Sequence, residues 1–171
     1  PKTDAEKIDE TPHYSLKLTR TFTKTGVHPF DEIRWMRRDA VIGSGDKKVF
    51  EQENVEFPDF WSTNAINITA SKYFRGKLNT PEREQSLKQM INRVAKTIRK
   101  WGEELGYFTT ASQAQIFEDE LTHLLVYQKA AFNSPVWFNV GVREKPQCSA
   151  CFILSVQDDM QSILDWIKTE G

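Results

Sequence analysis

The stretch TPEREQSLKQMINRVAKTIRKWGEEL, residues 80–105, decides the reading of the architecture. Leu87, Met90, Ile91, Val94, Ile98, Trp101 and Leu105 recur at three- and four-residue intervals, which places them on one face of an α-helix. Thr80-Pro81-Glu82 supplies a capping hydroxyl, a first-turn proline and an acid, so the helix is expected to begin there. Gly106 follows where a left-handed residue is wanted, and ends it. A second helix is expected from about Ser112, with Phe117, Leu121, Leu124, Leu125 and Gln128 along one face. Two long amphipathic helices joined by a short loop pack antiparallel.

On the N-terminal side, residues 1–13 are polar and read as a flexible arm. Residues 14–78 read as an irregular strap. Leu16, Leu18 and Phe22 alternate with polar residues, and Ala40-Val41-Ile42, the turn cluster Gly43-Ser44-Gly45-Asp46 and Val49-Phe50 spell a β-hairpin. Phe22, Phe30, Trp35, Phe50, Phe57, Phe60 and Trp61, in a segment with few helices, imply a strap laid over another surface. Residues 79–132 form the helical domain. On the C-terminal side, Asn133-Ser134-Pro135 is expected to break the second helix, and residues 136–140 have strand composition. The run CFILSV, residues 151–156, suits a strand covered on both faces of an α/β sheet. Met160, Ile163, Leu164 and Ile167 return to helical spacing. The fold class is mixed α/β.

Hydrophobic residues make up 39% of the 171, and charged residues 27%, a balance that excludes a disordered chain. The 23 Lys and Arg against 24 Asp and Glu leave a net charge of −1, so no global field attracts a polyanion. Arg34, Arg37, Arg38, Lys47 and Lys48 beside Trp35 form the nearest approach to a basic patch. Asp31, Glu32, Asp39 and Asp46 neutralise it, and no nucleic-acid partner is expected. Two cysteines are too few for a secreted disulfide scaffold and imply a reducing, cytoplasmic setting. No apolar run reaches membrane-spanning length and the start is acidic, so neither a membrane partner nor a secretory signal is expected.

Cys148-Ser149-Ala150-Cys151 has C-x-x-C spacing, but His13, His28 and His123 are scattered and no second pair exists, so no metal site is assigned. A thioredoxin-type pair would place its first cysteine at a helix start, whereas Cys151 leads into the expected strand. A small buried apolar role suits either cysteine equally. His28 and His123 read as solvated or locally hydrogen-bonded. Asp158-Asp159 lies between strand and helix, where a carboxylate caps exposed N–H groups and where polar ligands also bind. No glycine-rich phosphate loop occurs.

Residues 129–141 (KAAFNSPVWFNVG) and 146–153 (PQCSACFI) resemble ribonucleotide reductase. The upstream stretches 26–32 (GVHPFDE), 37–42 (RRDAVI) and 70–76 (ASKYFRG) are similar to the leader of the class II, adenosylcobalamin-dependent enzymes. The resemblance implies a ten-stranded α/β barrel that begins at residues 133–171 and is completed by a further polypeptide. It implies reduction of ribonucleotides, diphosphates in this long form, by a thiyl radical and a pair of reducing cysteines. The Ser-x-Cys context of that pair falls on Ser149-Ala150-Cys151, which makes Cys151 the redox-active residue and leaves Cys148 without a role. Substrate contacts fall on Ser134, the Ala150 backbone and Cys151, and the effector site on Asp158, Asp159 and Met160. Implied partners are a nucleoside triphosphate effector, a thioredoxin-like or dithiol reductant and, among allowed assemblies, a homodimer. The radical cysteine, the partner of Cys151 and the cobalamin contacts are expected downstream of Gly171, so the chain is expected to be catalytically incomplete. A non-catalytic helical interaction module, or a segment of a class I large subunit, are the competing readings.

Overall fold

The computed structural model describes residues 16–170, so the expected arm at residues 1–13, with His13, lies outside the described residues. Two antiparallel strands, β1 (Trp35–Ile42) and β2 (Phe50–Pro58), form the expected hairpin, paired from Trp35 opposite Pro58 to Ile42 opposite Phe50. Between Arg38 and Ala40 the register shifts. Asn54 there takes φ +60, and its N–H donates to the Asp39 carboxylate at 2.9 Å, which fixes the irregularity locally.

Five α-helices follow among the described residues: α1 (Thr63–Lys72), α2 (Leu87–Glu104), α3 (Ala111–Val126), α4 (Ser134–Asn139) and α5 (Met160–Glu170). Helix α1 lies inside the segment read as an irregular strap. Its start is signalled by Ser62, whose Oγ accepts from the Ala65 N–H, and it buries Ile66, Thr69 and Ala70.

Helix α2 begins six residues later than Thr80-Pro81-Glu82 suggested. Ser86 is the cap, and Gln89 completes a capping box with it. Residues 80–85 stay out of the helix because Arg83 and Glu84 are buried in tertiary contacts. Arg83 donates to the carbonyls of Ala70 (2.6 Å) and Phe74 (2.7 Å) and to Gln52 Oε1 (2.9 Å). The Glu84 N–H donates to the Arg75 carbonyl at 2.8 Å, and Glu56 N–H to the Gln85 carbonyl at 2.8 Å, so this segment runs along β2 instead of coiling. The far end of α2 matches expectation, with Gly106 at φ +71.

Helix α3 starts close to the expected Ser112 but ends before Gln128, which has φ +56. Its buried residues are Ala114, Glu118, Asp119, Thr122, Leu125 and Val126, while Phe117, Leu121 and Leu124 are half-buried. The reason is that α3 is covered on two sides. Helix α2 packs on one, where Arg99 pairs with Glu118 at 2.8 Å. Residues 18–23 cross the other, where Glu120 accepts the N–H groups of Thr21, Phe22 and Thr23 and Arg20 pairs with Asp119 at 2.7 Å.

Residues 136–140 are not a strand. Residues 136–139 belong to α4, with Pro135 in its first turn, and Val140 is its C-cap; Val136, Trp137 and Val140 are buried. The run 151–156 is not a strand either. It has no sheet neighbour among the described residues, and Phe152 and Ile153 are 70% and 96% exposed. A strand needs partners for its backbone groups, and the described residues supply none there. Helix α5 forms as expected, with no buried residue.

The core is one cluster in which Phe57, Phe74, Ile66, Leu87, Ile91, Val94, Val126 and Val140 join the hairpin to α1, α2, α3 and α4. At its edge His123 is half-buried, stacked on Phe22 (5.1 Å, 7°) and tilted against Tyr127 (4.3 Å), an aromatic setting in place of the solvated or locally hydrogen-bonded one expected. Burial, then the nearby Lys129 charge, push its imidazole below the ordinary value of 6.5. The unfolded chain therefore takes up this proton first. Stability is expected to be complete above pH 6.5 and to decline as pH falls below it, before the carboxylates titrate. Urea midpoints measured from pH 7 to 5 check this: the decline should flatten in His123→Gln, and equal slopes in both proteins would refute it.

Candidate functional site

Helix α4 carries Ser134 in its first turn, and the surrounding side chains hold that helix against α2. Arg93 donates from Nη1 to the carbonyls of Val140 (2.8 Å) and Trp137 (3.1 Å), satisfying the end of α4. Its Nε donates to Glu84 Oε1 at 2.8 Å, and Glu84 Oε2 accepts the Arg75 N–H at 2.8 Å. The Trp137 indole N–H donates to the Phe132 carbonyl at 3.0 Å, tying α4 to the segment before it. The exit from α4 is equally close: Gly141 has φ +73, and a Cβ there would lie 2.6 Å from Arg93 Cγ.

The Ser134 hydroxyl lies 3.1 Å from the Tyr73 hydroxyl. Tyr73 caps the end of α1, where its N–H donates to the Thr69 carbonyl. Its ring stacks on Phe138, 5.4 Å away and 21° from parallel, and the Arg75 guanidinium sits 5.3 Å from the same ring. Beside this pair opens a cleft of about 280 Å³ lined by Trp61, Ile68, Tyr73, Leu125, Phe132 and Trp137 among others. Sequence reasoning singled out Ser134 but not Tyr73, Arg75 or Arg93. The signal for the first two was in the ASKYFRG stretch.

Cys148 and Cys151 are both free and exposed, so the buried apolar reading fails for either thiol in this chain. The Cys148 thiol makes a weak contact with the Pro146 carbonyl at 3.7 Å. Asn139 Nδ2 donates to the Gln147 carbonyl at 2.9 Å, so the cysteine loop hangs from the last residue of α4. Ala150 is exposed. Asp159 caps α5, its Oδ1 accepting the Ser162 N–H at 2.9 Å while Ser162 Oγ accepts the Gln157 N–H at 2.9 Å. Asp158 and Met160 are exposed beside it. The structure thus puts Ser134 and the cysteine loop at opposite ends of α4 and leaves Asp158, Asp159 and Met160 on a separate, uncovered helix start.

Among the described residues no group of three or more His, Cys, Asp or Glu is placed to hold a metal ion, and no helix is long and apolar enough to cross a membrane. Nor do these residues fit a corrin cofactor. His28 Nδ1 is engaged with the Phe30 N–H at 3.2 Å, and His123 is held in its aromatic stack, so neither imidazole is presented to a cavity.

Residues 36–128 match the family model described as class II vitamin B12-dependent ribonucleotide reductase. The chain belongs to that family. It is 58% identical over 158 residues, 91% of its length, to the vitamin B12-dependent ribonucleotide reductase of Streptomyces clavuligerus, and 40% identical over 169 residues, 81% of its length, to that of Rhodopirellula baltica. A shorter likeness, 47% over 38 residues, links it to the ribonucleoside-diphosphate reductase large subunit of African swine fever virus (strain Badajoz 1971 Vero-adapted); this covers 22% of the chain and 5% of the viral protein. The chain spans 16% of the length of each of the two bacterial relatives.

Proposed function

We propose that this chain is the N-terminal part of a ribonucleotide reductase that makes deoxyribonucleotides, from ribonucleoside diphosphates, by radical chemistry. Residues 79–132 are its helical domain, preceded by the arm (1–13) and strap (14–78), and residues 133–171 enter a ten-stranded α/β barrel completed by the remaining polypeptide. The observation that carries this reading is the free, exposed Cys151 at the head of an uncovered apolar run. Phe152, Ile153 and Val156, with Ile163, Leu164 and Ile167 on α5, are all exposed, apolar side chains that a further layer of polypeptide would cover.

In the reaction, a thiyl radical from the remaining barrel abstracts a ribose hydrogen and returns it to the same carbon once the reduction is complete, which regenerates the radical. Cys151 and a second thiol supply two electrons and two protons, becoming a disulfide while the 2′-hydroxyl leaves as water. A dithiol or thioredoxin-like protein then reduces that disulfide by exchange. Ser134, the Ala150 backbone and Cys151 contact the substrate, and Asp158, Asp159 and Met160 contact a nucleoside triphosphate effector. Adenosylcobalamin, held outside this segment, supplies radical initiation. The setting is cytoplasmic, where thiols stay reduced.

The test is a reductase assay with adenosylcobalamin, dithiol and either ribonucleoside diphosphate or triphosphate. No turnover is expected from this chain alone, and turnover of the diphosphate once the downstream polypeptide is added. Activity of the chain alone would refute its incompleteness. Inactivity of the reconstituted pair would refute the enzyme reading, and preference for the triphosphate would overturn the diphosphate assignment.

A further inference from the structure

The Ser134 and Tyr73 hydroxyls, 3.1 Å apart, share one hydrogen bond and so leave one O–H free to point elsewhere. A phosphate is rich in acceptors and offers no donor in its ionised form, so it selects the orientation that presents that hydrogen. Tyr73, the more acidic of the two hydroxyls, is the better donor. When it donates to Ser134 Oγ, the Ser134 hydrogen is released toward the ligand, and the chain of two bonds polarises it further.

The tyrosine is well placed for this. Its backbone is fixed at the α1 cap and its ring is stacked on Phe138. Phe138 lies one turn after Ser134 on α4, so the residue that holds the tyrosine ring and the residue the tyrosine contacts move as one unit. Both hydroxyls lie in half-buried residues, accessible to a ligand yet partly shielded from competing water.

We propose that Tyr73 is a positioning residue for substrate binding: it orients the Ser134 hydroxyl toward a phosphate oxygen of the ribonucleotide. This rests on the reading of Ser134 as a substrate contact. In the complete reductase, Tyr73→Phe keeps the ring and removes only the hydroxyl. It is expected to raise KM for a ribonucleoside diphosphate about 3- to 10-fold with kcat unchanged, as loss of one neutral hydrogen bond does when it serves ground and transition state alike. Ser134→Ala should raise KM at least as much, and the double variant no more than Ser134→Ala alone.

Three outcomes decide against it in different ways. A raised KM in Ser134→Ala with an unchanged KM in Tyr73→Phe, or strictly additive effects, overturns the role of Tyr73 and leaves the substrate contact standing. An unchanged KM in Ser134→Ala overturns the substrate contact and this inference with it. A lowered melting midpoint in Tyr73→Phe with kcat and KM both impaired assigns the hydroxyl to folding and overturns the inference as well.

Discussion

Replacing Cys151 by serine in the complete reductase is expected to abolish multiple-turnover formation of deoxyribonucleotide, a loss of at least about a thousand-fold, of the size seen when a residue central to a chemical step is removed. Serine keeps the size of the side chain and its exposure, but an alcohol cannot form the disulfide that balances the reduction. The same change at Cys148 is expected to leave turnover close to that of the parent enzyme. Both thiols are free and exposed and lie in one loop, so accessibility alone does not separate them. What separates them is the Ser149-Ala150-Cys151 context, and the paired variants measure it under excess dithiol and adenosylcobalamin. Loss of turnover in Cys148→Ser with retention in Cys151→Ser would reverse the assignment. Retention in both would remove the cysteine loop from the reaction.

The second large effect is on stability. Arg93→Met is expected to destabilise the 171-residue chain by about 3–5 kcal/mol, the range for breaking a buried ion pair by removing one partner. The arginine and Glu84 side chains are 11% and 9% exposed, and the pair is 2.8 Å apart. Methionine preserves most of the apolar stem but leaves Glu84 without its nearest cation and the carbonyls of Trp137 and Val140 without their donor. Urea unfolding gives the number directly. A second readout follows from the geometry, since Arg93 holds α4 and α4 carries Ser134. In the complete enzyme the variant should also raise KM for substrate, and restoring charge with Arg93→Lys should recover only part of either loss, because lysine cannot reproduce the planar fork. A destabilisation below about 1 kcal/mol would show that the pair is held by its surroundings instead of holding them.

Much of the helical part was legible from the residues. The spacing of Leu87, Met90, Ile91, Val94, Ile98 and Trp101 admits one face, and burial of Leu87, Met90, Ile91 and Val94 follows it. The hairpin was legible for the same kind of reason, since the Gly43-Ser44-Gly45-Asp46 cluster can only turn. Where the reading missed, the competing force was tertiary. Thr80-Pro81-Glu82 is an adequate local helix start, but coiling there would pull Arg83 from the four acceptors it meets in Ala70, Phe74, Gly76 and Gln52. Val136-Trp137-Phe138 has strand propensity, yet it follows a proline suited to a first helical turn, and the core takes Val136 and Trp137 from the helix and Val140 from its cap.

The candidate site divides along the same line. Ser134, Cys151 and the aspartates at 158 and 159 could be picked out because motif context names residues one at a time. The Asp159 cap was legible too, since an aspartate before a helical run meets N–H groups that lie within the same turn. Tyr73 lies within the ASKYFRG stretch, but its pairing with Ser134 could not be found that way. The tyrosine is 61 residues from Ser134 in the chain, and no periodicity or spacing links a helix C-cap to the first turn of another helix.

By itself, then, the sequence determined the hairpin, the amphipathic helices and the family, because each of these is written in local periodicity, turn chemistry or contiguous motifs. Only the tertiary structure decided where α2 begins, that residues 134–139 coil, and which side chains stand behind Ser134. Those outcomes depend on buried charges and hydroxyls finding partners far along the chain, and the free energy of leaving them unpaired exceeds the local preferences that a reading of neighbouring residues can detect.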